Sequence, residues 1–268
     1  MKFVSLPMYD WPEVETQTNK LWQQLCVLLK DNGIDCPTIL DRKTPSESLW
    51  KSGHCLFSQT CGWPYINKYH SHLQLLTTPI YDIDGCDGTY HRSRLVCRAN
   101  DQRNTLAEFT AATVVINESD SQSGHQAMKS ALTMASLPAP FFAHGKISGA
   151  HRHSIKMVAE GDADICAVDP VSWQLALRYE TPVTDQLKVI GEGPQIPGLP
   201  IVYSHEYHDS MQAANIAAKV DSLLTNELDN DIREMLFISG AKRLSMEDYR
   251  VLIKLDQEAE DAGHARVA

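Results

Sequence analysis

Three serines stand close together after a short apolar segment, in Val115-Ile116-Asn117-Glu118-Ser119-Asp120-Ser121-Gln122-Ser123-Gly124. We predict that a strand ends at Asn117 and that a helix begins near Ser123. Free backbone N–H groups at a helix start, together with serine hydroxyls, form a site for an oxyanion. Ordinary N-capping explains any one of these serines equally well, so both interpretations stay open. The candidate ligand contacts of this segment are Ser121, Gln122, Ser123 and Gly124.

A second predicted helix start carries positive charge, in Ser148-Gly149-Ala150-His151-Arg152-His153. A cation near a helix N-terminus is unfavourable for the helix dipole unless an anion lies there. Because local rules tend to be broken at functional sites, His151 and Arg152 are candidate ligand contacts. A solvent-facing Arg152 is the alternative. The spacing of His151 and His153 suits a strand better than one helix face, which argues against a metal pair.

Asp169 stands between a predicted strand, residues 163–168, and a predicted helix. Capping of that helix explains the residue fully. A carboxylate at the end of a strand can also accept a hydrogen bond from a ligand amine or hydroxyl, so Asp169 is a further candidate.

Polar residues also follow two predicted strands in the first part of the chain. Gln59 and Thr60 end a buried strand, and Tyr9 and Asp10 come after the first strand. All four are candidate ligand contacts. Cys61 is a poor candidate nucleophile because the sequence fixes no basic partner beside it.

Motifs for cofactor, metal and acyl-transfer chemistry are missing from the sequence. There is no G-x-x-x-x-G-K-[ST] and no complete dinucleotide-binding fingerprint. The run His205-Glu206-Tyr207-His208 is one residue short of H-E-x-x-H, and no G-x-S-x-G is present. We therefore expect no cofactor, no metal and no catalytic residue.

Composition limits the classes of partner. The chain has 268 residues, 43% hydrophobic and 22% charged, with a formal net charge of −10. This length suits two domains of modest size. No dense Lys/Arg block is present, so a nucleic-acid surface is not expected. An acidic protein can still bind an anion, because the field of a pocket is local.

The cysteines and the N-terminus bear on the compartment. Seven scattered cysteines without a C-x-x-C motif are typical of small core residues under reducing conditions. No signal-peptide pattern follows Met1, which predicts a cytoplasmic protein, or a periplasmic one if a signal has been removed. No apolar run approaches the roughly 20 residues of a membrane helix, so membrane insertion is not expected.

Apolar periodicity predicts alternating strands and helices. A helix over residues 11–32 is expected to start with a capping box of Asp10 and Glu13 and to end at Gly33. The predicted strands cover residues 2–6, 38–40, 54–57, 73–78, 92–98, 114–117, 146–148, 163–168, 187–191 and 199–204. The later helices cover residues 123–135, 150–161, 171–179, 209–225, 229–238 and 246–262. This alternation predicts an α/β fold with mainly parallel sheets flanked by helices.

Two turn-rich segments, residues 85–90 and 191–198, are candidate crossings between domains. They divide the chain into an outer lobe of residues 1–87 and 192–268 and an inserted inner lobe of residues 88–191. A ligand cleft is expected between the lobes, because ligands of open α/β sheets bind beyond the carboxyl ends of strands.

Four motifs together resemble the phosphate/phosphonate substrate-binding proteins of ABC transporters. They are Ser58-Gln59-Thr60-Cys61-Gly62, Ser121-Gln122-Ser123-Gly124, Gly149-Ala150-His151-Arg152-His153-Ser154 and the run from Gly161 to Asp169. The resemblance implies the two-lobe type II periplasmic-binding-protein fold, a small anionic ligand and a transporter permease as partner. It also implies that Ser121, Ser123 and His151 contact an oxyanion and that Asp169 meets a ligand amine. The cation at Arg152 suits a more anionic ligand or a carboxylate.

The leading functional hypothesis is reversible binding of phosphate, a phosphonate or a related ester on closure of the two lobes. An enzyme of cofactor biosynthesis on the same fold is one alternative, with Cys61, His151 and Asp169 as its reactive groups. A ligand-sensing regulatory module is the other. The sequence predicts binding rather than catalysis, because it fixes no nucleophile with a base beside it.

Overall fold

The structure, a computed structural model, describes residues 2–267. Within that range the chain forms thirteen strands. They are β1 Phe3–Ser5, β2 Cys55–Gln59, β3 Leu73–Tyr81, β4 Cys86–Asp87, β5 Tyr90–His91, β6 Arg94–Arg98, β7 Thr113–Ile116, β8 His144–Ile147, β9 Ile165–Val168, β10 Leu187–Glu192, β11 Ile196–Pro197, β12 Ile201–Ser204 and β13 Ile238–Lys242.

Twelve α-helices lie in the same described range. They are α1 Glu15–Asp31, α2 Ser46–Lys51, α3 Gly62–Pro64, α4 Ala127–Met134, α5 His151–Ala159, α6 Pro170–Tyr179, α7 Thr181–Thr184, α8 His208–Ala213, α9 Ile216–Ser222, α10 Asn230–Leu236, α11 Met246–Tyr249 and α12 Val251–Asp261. Short 3-10 turns cover Pro12–Val14, Leu106–Phe109 and His205–Tyr207, and π-helical turns cover Tyr65–Tyr69, Gln122–Gln126 and Leu223–Glu227. Among residues 2–267, no helix is both long enough and apolar enough to cross a membrane.

The chain divides into two compact units. The first unit contains the chain up to Asp82, Cys86–Tyr90 and Pro197–Tyr249. The second unit contains Ile83–Gly85, His91–Ile196 and the chain from Arg250 on. Each unit is built around one five-stranded sheet.

The sheet of the first unit has the order β1-β2-β12-β3-β13. Strands β1 and β2 are parallel, whereas β12 runs against β2 and β3, and β13 runs against β3. All five residues of β2 are buried, as expected for a strand inside a sheet that is covered on both faces.

The sheet of the second unit has the order β10-β6-β9-β7-β8. Strands β9, β7 and β8 are parallel neighbours, and β6 runs against both β9 and β10. Apolar side chains of β7 and α4 pack together in the core of this unit, with Phe109 and Met128 both fully buried. The predicted α/β class with helices flanking the sheets is confirmed, and the direction of the strands within each sheet is mixed.

Two predictions of local structure are wrong. Residues 38–40 form a bend and no strand, and Ile39 is 77% exposed. Conversely, β13 lies in the part of the chain predicted to be entirely helical. It contains Gly240 and Ala241, which are unfavourable in strands, and it forms because β3 extends past Thr78 and offers a free edge.

The ends of α1 agree only in part with the sequence pattern. Gly33 ends the helix with a positive φ of 78°, as predicted. The predicted capping box is absent. A 3-10 turn, Pro12–Val14, precedes α1, and neither Trp11, the N-cap of that turn, nor Val14, the N-cap of α1, makes a side-chain cap hydrogen bond. The Asp10 carboxylate instead accepts hydrogen bonds from Arg42 Nε at 2.5 Å and Nη2 at 3.1 Å.

The segment from Arg250 on was expected in the lobe that holds the N-terminus, but it belongs to the second unit. Helix α12 packs against α4 there. The contact includes an ion pair between Lys129, which is 2% exposed, and Asp256. A buried ammonium needs such a partner, and helical periodicity alone does not reveal it.

Candidate functional site

One edge of the second unit's sheet collects most of the predicted polar residues. Strands β7 and β9 are parallel, so their carboxyl ends lie at the same edge, and Ser123 and Asp169 follow these two ends. Strand β6 is antiparallel to β9, with Arg94 opposite Val168. The residues just before β6, among them His91, therefore also reach this edge.

Two predicted segments meet through one hydrogen bond. Ser123 Oγ lies 2.8 Å from His151 Nε2, although 28 residues separate them in the chain. Ser123 is 2% exposed, and His151 is half-buried at the start of α5. His151 Nδ1 is buried without a hydrogen-bond partner among residues 2–267.

A second histidine completes the cluster. His91 is buried, its Nδ1 lies 3.8 Å from Asp169 Oδ2, and its Nε2 has no hydrogen-bond partner in the described part of the chain. Burial lowers the pKa of His91, and the charge of Asp169 opposes that shift. We call His91, Ser123, His151 and Asp169 the histidine cluster.

Both histidines of this cluster are neutral near pH 7. The pKa of His151 is lowered to about 4, mainly by burial; Asp169 acts against this shift, and His91 nearby acts in its direction. A neutral imidazole has one N–H donor and one acceptor nitrogen. On each ring, one buried nitrogen has no hydrogen-bond partner among the described residues. These atoms are Nδ1 of His151 and Nε2 of His91.

The serine-rich segment starts its helix with a π-helical turn, Gln122–Gln126, that continues into α4. Ser121 Oγ accepts from Gly124 N at 3.0 Å and so caps this helix. Gln122 is buried and its Oε1 has no hydrogen-bond partner among residues 2–267. The backbone at Gly124 is close to Asn117, because a Cβ there would lie 1.9 Å from Asn117 Oδ1.

Asp169 is the N-cap of α6. Its Oδ1 accepts from Val171 N at 2.8 Å and from Ser172 N at 3.1 Å, and the residue is 1% exposed. The capping interpretation of Asp169 is thereby confirmed. Its contact with a ligand amine stays a prediction.

Arg152 has a partner within the protein. Its Nε donates to Glu180 Oε1 at 2.6 Å, and Lys156 Nζ lies 3.1 Å from the same oxygen. The carboxylate of Glu180 explains how a cation is tolerated at the start of α5, so no anionic ligand is needed for that purpose. A ligand contact of Arg152 stays a prediction.

The candidates of the first unit also have contacts within that unit. Gln59 Nε2 lies 3.2 Å from Tyr81 Oη and 3.2 Å from the Leu199 carbonyl oxygen, and Thr60 is fully buried. The ring of Tyr9 packs edge-on against Tyr81 with centroids 5.5 Å apart. With Asp10 held by Arg42, the ligand roles of these four residues stay predictions. Among residues 2–267, no three His, Cys, Asp or Glu side chains gather as they would around a metal ion.

His91 and Ser93 were not among the candidate ligand contacts predicted from the sequence. Ser93 is fully buried, and its Oγ has no hydrogen-bond partner among the residues described. The available signal was a polar triplet, His91-Arg92-Ser93, directly before a strand. The rule that sites follow the carboxyl ends of strands does not find it, because β6 is antiparallel and contributes its amino end.

We expect acid to destabilise the second unit through its histidines. The unfolded chain binds protons as pH falls through about 6.5, the ordinary histidine value, whereas folded His151 does so only near pH 4. Between these two pH values the unfolded state binds more protons than the folded state, so the free energy of unfolding decreases as the pH is lowered.

Urea unfolding at several pH values between 4 and 7.5 measures how steeply the free energy of unfolding depends on pH. A His151→Gln variant should show a shallower slope, and a variant of the exposed His153 should match the wild type. A His151→Gln slope equal to that of the wild type would contradict the assignment.

Comparison with known proteins gives one family. Residues 47–249 match the family model described as "ABC transporter, phosphonate, periplasmic substrate-binding protein". A search of curated proteins finds no match to this chain.

Solved structures share the fold over nearly the whole chain. PhnD1 from Prochlorococcus marinus, in complex with methylphosphonate, is similar with a TM-score of 0.72 and 14% identity over 97% of this chain and 98% of that one. A binding protein component of an ABC phosphonate transporter from Pseudomonas aeruginosa has a TM-score of 0.72 and 12% identity over 98% and 88%. The periplasmic aliphatic sulphonate binding protein SsuA from Escherichia coli has a TM-score of 0.63 and 13% identity over 100% and 90%. At these identities the likeness shows the fold.

Proposed function

Because the chain belongs to the family of periplasmic substrate-binding proteins of phosphonate ABC transporters, we propose that it binds a small oxyanion at the histidine cluster of its second unit. The ligand class is phosphate, a phosphonate or a related ester. The family is one of substrate-binding proteins, so the proposed role is binding and release without turnover.

The observation that carries the proposal is the pair of buried, unpartnered ring nitrogens, His151 Nδ1 and His91 Nε2. A buried polar atom without a hydrogen bond costs about 1–3 kcal/mol. Such atoms are uncommon in folded proteins and call for an explanation. Gln122 Oε1 and Ser93 Oγ add two more unpartnered atoms in the same unit. A polar ligand bound at this edge of the sheet would satisfy several of them together.

Whichever way the hydrogen bond between Ser123 and His151 runs, one hydrogen atom of this pair stays available to donate to the ligand. If His151 Nε2 accepts from the serine hydroxyl, Nδ1 carries the ring proton and donates to the anion. If Nε2 donates to Ser123 Oγ, the hydroxyl hydrogen is free to donate instead. Neutral donors suit an oxyanion, and so does the start of α5, where Ala150 makes no side-chain cap hydrogen bond.

The family also suggests the partner and the compartment. Substrate-binding proteins of this family serve an ABC transporter, so a permease is the proposed protein partner and the periplasm the proposed compartment. A ligand-sensing role and an enzymatic role on the same fold are the two alternative hypotheses.

Replacing Ser123 by Ala should weaken the binding of phosphate or methylphosphonate about tenfold, which is the effect of losing one hydrogen bond to a charged group. Isothermal titration calorimetry of the purified chain measures this change. A Ser119→Ala variant is the matched control, since Ser119 is exposed in the same segment and should bind like the wild type. Equal affinities of wild type and Ser123→Ala would contradict the proposed site. Turnover of a phosphonate ester, followed by phosphorus NMR, would favour the enzyme.

A further inference from the structure

Two cysteines of the first unit are close neighbours. The Sγ atoms of Cys26 and Cys36 lie 2.8 Å apart, and each residue is 5% exposed. The sulfur atoms of Cys61 and Met8, which are in ordinary contact, lie 3.8 Å apart. A disulfide bond measures about 2.05 Å. The two sulfur atoms of Cys26 and Cys36 are thus closer than those of an ordinary sulfur contact. A small movement would bring them to the length of a disulfide bond.

The local fold holds the two thiols together. At the end of α1, Gly33 N donates to the Lys30 carbonyl oxygen at 3.0 Å and Ile34 N to that of Leu29 at 2.9 Å, which is a Schellman motif. This motif reverses the chain, so that the residues after Gly33 run back along the helix. Trp22 Nε1 then donates to the Pro37 carbonyl oxygen at 3.0 Å and fixes the returning segment.

We infer that Cys26 and Cys36 form a disulfide bond when the protein meets a disulfide oxidant such as oxidised glutathione. A cysteine thiolate attacks the oxidant, giving a mixed disulfide and releasing one glutathione thiol. The second cysteine then displaces the other glutathione, so that two thiols are oxidised and one disulfide is reduced to two thiols. This inference does not depend on the ligand or on the site of the second unit.

Burial determines when the bond can form. Burial raises the pKa of the Cys36 thiol to about 12, and the hydrogen bond with Cys26 acts in the same direction. The folded protein therefore holds little thiolate at Cys36, and exchange is expected while the segment is open during folding. The same burial protects the bond afterwards. The periplasm, where this family works by its description, allows such bonds.

The sequence alone predicted seven reduced core residues. The structure separates Cys26 and Cys36 from the other five, for which the reduced state stays a prediction.

Peptide mapping tests the bond directly. The full chain is refolded with oxidised and reduced glutathione, alkylated under denaturing conditions and digested with trypsin. Cleavage after Lys20, Lys30 and Arg42 places the two cysteines in separate peptides, residues 21–30 and 31–42, each with one cysteine. We expect these two peptides to be linked until a reductant is added, and the thiol count of the chain to fall from seven to five.

Two variants serve as controls for this experiment. Cys26→Ala should keep all six of its thiols under the same conditions, whereas Cys166→Ala should still lose two. The oxidised wild type should also unfold about 5–10 °C above its reduced form, as expected for a short closed loop. A wild type that retains seven thiols and yields no linked peptide, or one that links other cysteines instead, overturns the inference.

Discussion

Replacing Asp256 by Ala is expected to lower the free energy of unfolding of the second unit by about 3–5 kcal/mol. The Lys129 side chain is 3% exposed and pairs with Asp256 across the contact between α4 and α12. Removing the carboxylate leaves a buried ammonium without its partner, which costs more than the pair itself contributes. Because α4 continues the helix that begins at the serine-rich segment, this ion pair also stabilises the scaffold of the histidine cluster.

Chemical denaturation followed by circular dichroism measures this loss. Glu258 lies on the same helix and pairs with Lys254 at 3.6 Å, where both side chains are exposed. A Glu258→Ala variant should therefore lose no more than about 1 kcal/mol. The double variant with Lys129→Met and Asp256→Ala should recover most of the stability, because no buried charge remains. A loss in Asp256→Ala as small as that in Glu258→Ala would show that the ion pair is not buried.

Replacing Asp169 by Ala is expected to lower the free energy of unfolding by about 2–4 kcal/mol. The substitution removes the only N-cap acceptor described for α6 and leaves the N–H groups of Val171 and Ser172 unpaired in a buried environment. Thermal and urea unfolding both measure the effect.

An Asp169→Asn variant separates capping from charge. Asparagine caps helices about as well as aspartate, so this variant should keep most of the stability. It also removes the negative charge that raises the pKa of His91. An Asp169→Ala variant as stable as the wild type would contradict the capping assignment, and an Asp169→Asn variant as unstable as Asp169→Ala would show that charge dominates.

The main elements of the fold could be predicted because local patterns determine them. The apolar stripe of α1, with Leu21, Trp22, Leu25 and Leu29 buried, follows from helical periodicity. The strand-to-helix transitions at Asn117 and Asp169 follow from the change in period together with the capping residues.

Features that depend on distant partners could not be predicted. Strand β13 depends on the free edge of β3, and its own Gly240 and Ala241 are unfavourable in a strand. Lys129 and Asp256 are 127 positions apart in the chain, so the periodicity of the sequence cannot predict that they form an ion pair. The closeness of Cys26 and Cys36 depends on how far the chain returns after Gly33.

The same distinction applies to the histidine cluster. The sequence placed Ser123 and His151 at two helix starts that serve one oxyanion, whereas the hydrogen bond of 2.8 Å between the two side chains follows from the order of the strands. His91 could not be predicted because the antiparallel course of β6 places it there. The ion pair of Arg152 could not be predicted either, because its partner Glu180 lies 28 residues further along the chain.

The most direct test of the proposed site is an NMR titration of the histidine rings with phosphate and with methylphosphonate at pH 7. The chain has eleven histidines, and His91→Gln and His151→Gln variants assign the two rings of interest. Selective nitrogen-15 labelling of histidine reports the tautomer and the hydrogen bonds of each ring. We expect both rings to be neutral and the His91 and His151 signals to shift saturably with ligand, while the signals of the exposed histidines stay in place. Saturable binding that leaves the signals of His91 and His151 unchanged would contradict it.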